Sequence, residues 1–334
     1  MPPSRSLLDR LEVSTGFQFA WLEKAIRLQE VLAGLQEDHR LHDRLALKGG
    51  TALNFCYLGL ARLSIDLDFN YIGSARREDM LRERPEIEER IERLGASMGY
   101  GIRRLETGYA ASTWSLGYTT ARGGPDALRV QVNYLHRIPL FGTREVRTTG
   151  FADEPTIVAV CVSPEELVGG KVKALVERAV ARDLYDVYRY TLNPITGLDS
   201  NSLRVAFVVL AATLPTDARE VTLDALGARV EEREIRDQLL PLLRRGEHLD
   251  RAAMIATISP FLRGLLEWSA EERVFLDAVA AGRIEAEHLT RDEELQRRIR
   301  DHPALRWKVE NVAASLAGRR PPEGRRRGRP RKGS

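Results

Sequence analysis

Two short segments in the first quarter of the chain constrain its fold and chemistry more than any other feature. Residues 47–53 have the sequence Leu-Lys-Gly-Gly-Thr-Ala-Leu, and residues 62–69 have the sequence Arg-Leu-Ser-Ile-Asp-Leu-Asp-Phe. Polar and apolar residues alternate in the second segment, which is typical of a β-strand with one face in the core. Asp66 and Asp68 then share one face of this strand, and the apolar side chains share the other.

A glycine turn beside two carboxylates indicates a nucleotide site. The glycines let backbone amides approach a phosphate closely, and the following threonine begins a predicted helix. Carboxylates on one strand face suit Mg²⁺ or Mn²⁺, so Asp66 and Asp68 are the predicted metal ligands. The alternative is a tight turn followed by an edge strand with two solvent-exposed acids. The predicted nucleotide-binding residues in these two segments are Gly49, Gly50, Thr51 and Ser64.

A second charged segment lies about a hundred residues further along the chain. Residues 163–166, Ser-Pro-Glu-Glu, predict a helix start, because serine can cap it, proline fits its first turn and glutamate follows three residues later. We predict that this helix runs to about residue 190, with a break near residues 179–181.

Cationic side chains recur on one face of this helix. If the helix were continuous, Lys171, Arg178 and Arg182 would fall within about 40° of one another and could hold a triphosphate. Asp183 and Asp186 would orient these cations, or one of them would act as a base on the attacking hydroxyl. The alternative is a salt-bridged, solvent-exposed helix.

Together, the two segments resemble the signature of the AbiEii/AbiGii-type nucleotidyltransferase toxins. The similar blocks are residues 47–69, residues 165–175 and the Arg-Asp-Leu-Tyr-Asp motif at residues 182–186, in the order that the family has them. The resemblance implies an α+β fold: a DNA-polymerase-β-like nucleotidyltransferase core with a mixed sheet, followed by a helical C-terminal domain. The predicted catalytic residues are Asp66, Asp68, Lys171 and Asp186, with Arg182 and Asp183 as further nucleotide-binding residues.

The resemblance also implies a biological role. The family consists of toxins paired with a separately encoded antitoxin, and some members transfer a nucleotide from an NTP to the 3′ end of tRNA and so stop translation. We therefore expect an Mg²⁺-dependent enzyme with an NTP substrate, an RNA acceptor and an antitoxin partner. Two other functions stay open: a nucleic-acid-binding or regulatory protein with weakened catalysis, and kinase-like phosphate transfer.

One position departs from the pattern of polymerase-β-like transferases, which usually take a third carboxylate from a neighbouring strand. The matching segment here, residues 129–135, has Gln131 and Asn133 on the relevant face. An amide is a weaker Mg²⁺ ligand than a carboxylate and cannot act as a general base. Either Asp186 takes part of that role, or the chain binds one metal ion where relatives bind two.

The remaining pattern predicts an α/β N-terminal half and an all-helical C-terminal half. Helices are predicted at 17–45 and 76–98, and strands at 102–107, 113–118, 128–135 and 156–162. We predict a nucleotidyltransferase domain at 1–195, a helical domain at 196–317 and a disordered arginine-rich tail at 318–334. With no signal peptide and no apolar run near the roughly 20 residues of a membrane span, we expect a cytoplasmic protein without membrane contact.

Basic charge is concentrated in the tail. The chain has a net charge of +3, and residues 319–334 contain eight lysines and arginines but one acid. Residues 327–330, Arg-Gly-Arg-Pro, resemble an AT-hook, which binds the minor groove of DNA. An RNA tether and a solubilising tail are the alternatives. The predicted nucleic-acid contacts are Arg327, Arg329 and Arg331.

Overall fold

A seven-stranded mixed sheet forms the centre of the N-terminal half. The computed structural model describes residues 3–151 and 156–316, so the predicted tail and its three arginines lie outside the described residues. The strands are β1 (Leu45–Lys48), β2 (Asp66–Tyr71), β3 (Gly101–Thr107), β4 (Ala111–Thr119), β5 (Pro125–Asn133), β6 (Thr143–Arg147) and β7 (Val158–Val162). Their order is β3-β4-β5-β2-β1-β7-β6, and β2 lies antiparallel to β1 and parallel to β5.

Fourteen α-helices surround and extend this sheet within the described residues. They are α1 (Arg5–Thr15), α2 (Phe19–Glu37), α3 (His39–His42), α4 (Gly49–Ala52), α5 (Arg77–Ser97), α6 (Pro164–Arg178), α7 (Ala181–Leu192), α8 (Ser200–Ala211), α9 (Leu223–Arg229), α10 (Glu232–Glu234), α11 (Arg251–Leu266), α12 (Ala270–Ala280), α13 (Glu293–Asp301) and α14 (Pro303–Leu316). Helix α4 continues directly into a π-helical turn, Leu53–Tyr57. The predicted α+β architecture with a helical C-terminal region is confirmed.

The alternating segment forms β2, with the faces that its pattern predicts. Leu67 and Phe69 are fully buried, whereas Asp66 and Asp68 are half-buried on the opposite face. The four strands predicted further along the chain are present, with ends shifted by a few residues.

The sequence interpretation was wrong at the end of the first predicted helix. Helix α2 ends at Glu37, Asp38 caps the short α3, and Leu45–Lys48 is strand β1. Because β1 is buried on both faces, its apolar residues show no alternation, and such a run cannot be distinguished from a helix by periodicity.

The predicted break in the second charged segment is present. Ser163 caps α6 by accepting a hydrogen bond from the backbone N–H of Glu166 at 3.2 Å. The helix ends at Ala179, which has a left-handed backbone with φ +51°, and α7 begins two residues later. The two helices therefore change direction between Arg178 and Arg182.

One hydrophobic core connects the helical half to α6 and α7. Its buried members include Val172, Leu175 and Leu184 from these two helices, together with Phe207 and Leu305 from the C-terminal region. Across residues 3–151 and 156–316, no helix combines the length and apolar character needed to cross a bilayer.

Candidate active site

A cleft of about 1980 Å³ lies between the sheet and the helices. Strands β2 and β5 and the start of α4 line one wall, α6 and α7 line a second, and α14 lines part of the rim. Five of the predicted site residues that line it carry charge: Asp66, Asp68, Lys171, Arg182 and Asp183. The two segments found in the sequence therefore face the same space.

The two carboxylates of β2 are open to this cleft. Burial, together with the neighbouring charge of Asp68, raises the pKa of Asp66, whose side chain is 31% exposed. Arg182 supplies an opposing charge, with its Nη1 3.8 Å from Asp66 Oδ2. Two oxygen donors that repel each other suit a divalent cation, because a bound cation relieves the repulsion.

The protein supplies few side chains that could bind a metal ion in this cleft. The described residues include no group of three or more His, Cys, Asp or Glu side chains placed to hold a metal ion. Gln131 occupies the position beside Asp68 in the parallel pairing of β2 with β5, and it lines the cleft. Its Nε2 donates to Thr113 Oγ1 at 3.1 Å. A cation held by Asp66 and Asp68 therefore depends on phosphate and water oxygens for its other ligands.

The glycine turn packs against charged side chains. Gly49 has φ +72°, in the left-handed region, and a Cβ at this position would lie 3.2 Å from Asp68 Oδ2. A Cβ at Gly50 would lie 2.5 Å from Nη2 of Arg62. Both positions thus need glycine because the turn touches the carboxylate and the guanidinium directly.

Thr51 and Ser64 connect the turn to β2. Thr51 is buried, and its hydroxyl donates to the backbone carbonyl of Asp66 and lies 2.7 Å from Ser64 Oγ. Gly50 and Ser64 are among the residues that line the cleft, whereas Gly49 and Thr51 lie behind them. The Thr51 hydroxyl therefore ties the glycine turn to the backbone of β2 at Asp66.

A buried ion cluster forms the floor of the cleft. Asp186 is fully buried, and Arg62 donates to it twice, from Nε to Oδ1 at 2.8 Å and from Nη2 to Oδ2 at 2.7 Å. Lys171 Nζ lies 2.9 Å from Asp186 Oδ2 and 3.0 Å from Asp183 Oδ1. Asn54 Nδ2 donates to Asp186 Oδ1 at 3.0 Å. With Arg178, which donates to Asp183, three cations contact the two carboxylates of this cluster.

The electrostatics of the cluster follow from this pairing. Burial alone would raise the pKa of Asp186, but the adjacent Arg62 and Lys171 hold it well below its usual range. Burial likewise opposes the charge on Lys171, yet Asp186 and Asp183 raise its pKa. Asp186 does not line the cleft, a position that favours the predicted orienting role over direct contact with an attacking hydroxyl.

Two arginines on the helical wall carry positive charge that is open to the cleft. The Arg178 side chain is 58% exposed and donates from Nε to Asp183 Oδ2 at 2.6 Å, and the Arg182 side chain is 32% exposed. They lie on either side of the break at Ala179, so the bend between α6 and α7 keeps both on the cleft wall.

Arg62 and Asn54 were not among the predicted site residues. Arg62 stands in the quoted segment, two residues before Ser64 and four before Asp66, and its burial at 3% exposure needs a paired carboxylate. Its partner, Asp186, is more than a hundred residues away in the sequence, so periodicity could not connect the two.

Two carboxylates on a mixed sheet thus share a deep cleft with basic side chains of α6 and α7, an arrangement suited to nucleotidyl transfer. Residues 30–274 match the family model described as the nucleotidyl transferase AbiEii toxin of type IV toxin–antitoxin systems. The chain therefore belongs to this family, as its sequence motifs predicted, and is a nucleotidyltransferase of a toxin–antitoxin system.

Solved structures include two similar chains. MenT4, a nucleotidyltransferase toxin from Mycobacterium tuberculosis H37Rv, superposes with a TM-score of 0.64 at 21% identity, over 91% of this chain and 99% of its own. JHP933 from Helicobacter pylori gives a TM-score of 0.46 at 16% identity, over 79% of this chain and 99% of its own. The similarity to MenT4 confirms the fold. Comparison with curated proteins finds no match.

Proposed function

We propose that this nucleotidyltransferase moves a nucleoside monophosphate from an NTP to the 3′-hydroxyl of an RNA, with tRNA as the first acceptor to test, and depends on Mg²⁺ or Mn²⁺. The observation that carries this proposal is that Asp66 and Asp68 line the same cleft as the partly exposed Arg178 and Arg182, with Arg182 Nη1 3.8 Å from Asp66 Oδ2. Two carboxylates beside exposed arginines are the charge arrangement expected around a metal–triphosphate complex.

Each group of the chain has a defined task in this proposal. Asp66 and Asp68 would hold the divalent ion, which when bound supplies Lewis-acid polarisation of the phosphoryl oxygens. Arg178 and Arg182 bind the phosphates as forked donors and neutralise their charge. Lys171, held by Asp183 and Asp186, adds a fixed positive charge to the floor.

The role as a toxin implies further partners. A cognate antitoxin is expected to counteract the enzyme, and transfer to the 3′ end of tRNA would block translation because a modified end cannot be aminoacylated. A DNA or RNA contact by the arginine-rich tail stays a prediction.

The test uses Asp66→Asn, which keeps the size of the side chain and removes one of two like charges. Purified protein is incubated with each of the four α-labelled NTPs, Mg²⁺ or Mn²⁺ and total tRNA, and the RNA is separated by electrophoresis. We expect the wild type to label RNA with at least one NTP and the variant to lose about 100-fold or more of this activity, in the range found for removal of a key electrostatic group.

Folding provides the control for this test. Thermal unfolding in EDTA should give Asp66→Asn a melting temperature at or above that of the wild type, because the variant no longer places two like charges side by side. RNA labelling by a folded Asp66→Asn protein at the wild-type rate would refute the site. Transfer of phosphate instead of a nucleotide would support the kinase-like alternative.

A further inference from the structure

The cleft is larger than a nucleotide requires. Small-molecule pockets typically occupy about 300–1,000 Å³, whereas this cleft encloses about 1980 Å³. Beyond the carboxylates and the ion cluster, it continues to a rim built from three separate parts of the chain: the start of α5, the turn between β3 and β4, and α14.

Exposed aromatic side chains distinguish this rim. Trp307 on α14 is 39% exposed and Tyr109 in the β3–β4 turn is 43% exposed, and both line the cleft. By contrast, Trp114 and Trp268 are buried in the core. Trp307 and Tyr109 therefore present aromatic surface to the same cleft as Asp66 and Asp68, where a planar group of a ligand can stack on it.

The rim is held in a fixed arrangement. Arg77 donates from Nε to the Tyr109 hydroxyl at 3.2 Å, and its guanidinium lies 5.3 Å from the centre of the Tyr109 ring. Arg84 donates to the backbone carbonyl of Gly108 at 2.9 Å and so fixes the turn. The buried Arg137 also lines the cleft and donates from Nε to the backbone carbonyl of Ala75 at 2.9 Å, which fixes the segment that leads into α5.

Charge on the rim is mixed. Its basic residues are Arg76, Arg77, Arg137 and Arg306, and its acidic residues are Glu78, Glu106, Asp301 and Glu310. Arg306 is partly neutralised by Asp301, with its Nη1 3.6 Å from Asp301 Oδ1. A surface with balanced charge is a poor track for a phosphate backbone, so a ligand of this rim would gain little from phosphate contacts there.

We propose that this rim binds the unpaired 3′-terminal bases of the acceptor RNA, which stack on Trp307 and Tyr109 while the end of the strand enters the cleft. The inference rests on the proposed transfer to RNA and deepens it by assigning a subsite for the single-stranded end. Stacking on an aromatic side chain is worth about fivefold to more than 100-fold in affinity per base. Trp307 thereby gives the helical half a direct part in selecting the substrate.

The test measures binding alone, without NTP or divalent metal. Fluorescence anisotropy compares the binding of a labelled RNA hairpin that has a four-nucleotide 3′ overhang with that of the same hairpin with a blunt end. The salt concentration is high, so that electrostatic attraction between the arginine-rich tail and the RNA phosphates is screened. We expect the full-length protein to prefer the overhang. Trp307→Ala should lose about fivefold or more of its affinity for the overhang, whereas Trp307→Phe, which keeps an aromatic face, should retain most of it.

A matched control is Leu192→Ala, because Leu192 is similarly exposed, at 48%, but lies outside the cleft. It should bind both hairpins like the wild type. The proposal is overturned if the wild type does not distinguish the hairpins, or if Trp307→Ala keeps the wild-type preference, in which case the aromatic pair is better explained by contact with a protein.

Failure of the proposed subsite can be distinguished from failure of the proposed transferase function. If RNA is labelled but the preference does not depend on Trp307, the subsite is wrong and the transferase function stands. If the preference depends on Trp307 but no NTP is transferred to RNA, the rim binds RNA and the proposed transfer is wrong.

Discussion

Gly50 is the residue at which the glycine turn and the buried ion cluster meet. Its Cα faces the guanidinium of Arg62, and the Asp186 carboxylate lies just beyond, with Oδ2 3.6 Å from where a Cβ would stand. Small size at this single position therefore allows the turn, the arginine and the aspartate to pack into one unit.

We predict that Gly50→Ala destabilises the protein by about 1–3 kcal/mol, because an added methyl group must displace Arg62 from its paired carboxylate. Nucleotidyl transfer should fall as well, since the same turn holds β2 through Thr51. Denaturant unfolding followed by circular dichroism measures the first effect, and RNA labelling measures the second.

Gly264 is the matched control for this substitution. It also lies in a helix without positive φ, it is exposed, and a Cβ there meets nothing within 4 Å. Gly264→Ala should raise stability by about 0.5–1 kcal/mol, since alanine is the better helix former. Equal effects of the two substitutions would show that space at Gly50 is not the deciding factor.

At the scale of elements, the ion cluster ties α6 and α7 to the segment that follows the glycine turn. Asp186 of α7 holds Arg62 and Lys171, which come from a loop and from α6. The buried carboxylate thus adds to the hydrogen bonds that hold this loop, among them Leu63 N–H to the carbonyl of Leu242 at 2.9 Å.

We predict that Asp186→Ala costs about 3–5 kcal/mol of unfolding free energy, because it leaves the buried Arg62 without a carboxylate partner and Lys171 with Asp183 alone. Since the pKa of Asp186 is lowered in the folded protein, its stabilising effect is present above the ordinary carboxyl pKa and is lost only as the pH falls through the lowered value. Chemical denaturation of both proteins at neutral pH gives the difference.

Asp237→Ala is the comparison for that experiment. Asp237 pairs with Arg233 and Arg236 on the surface, where its side chain is 47% exposed, and its removal should change stability by less than about 0.5 kcal/mol. A similarly small effect for Asp186→Ala would contradict the structural importance of the cluster.

Elements also show what the sequence can and cannot predict. Alternation identified β2, whose polar and apolar residues lie on opposite faces. The strands β3 to β5 were predicted as strand-favouring runs separated by turn residues. The Ser-Pro-Glu-Glu start of α6 and the break before α7 were also predictable from local chemistry. Strand β1 was not, because burial on both faces removes its periodicity.

The candidate site likewise contains residues that the sequence predicts and residues that it does not. Asp66, Asp68 and Gly50 stand out because their spacing has a local meaning. The pairing of Arg62 with Asp186, and the approach of Trp307 to the cleft, depend on contacts between distant segments. No pattern within one segment reports such contacts.

The whole molecule is joined by its core across residue 195. Val172, Leu175 and Leu184, which precede the predicted boundary, pack in one cluster with Phe207 and other side chains that follow it. The change in sequence pattern near residue 195 separates two kinds of secondary structure, while the packing is continuous.

We predict that a fragment of residues 1–195 does not fold cooperatively, because it exposes the apolar faces of α6 and α7. It should give a broad thermal transition and bind a dye specific for exposed hydrophobic surface. A chain of residues 1–316, which keeps the whole core, serves as the control and should unfold in one transition. A sharp transition for the short fragment would show that its half is independently stable.

The position of α14 has a consequence for how the enzyme meets its substrate. This helix contributes Trp307 and Glu310 to the rim, and its last residue, Leu316, lies about 9 Å further along the helix axis. The arginine-rich residues that follow in the sequence are covalently attached to this helix. Any nucleic acid that these residues bind is therefore present near α14 at a high effective concentration. A weak and unselective contact can then bring the RNA to the enzyme, while the rim selects its 3′ end.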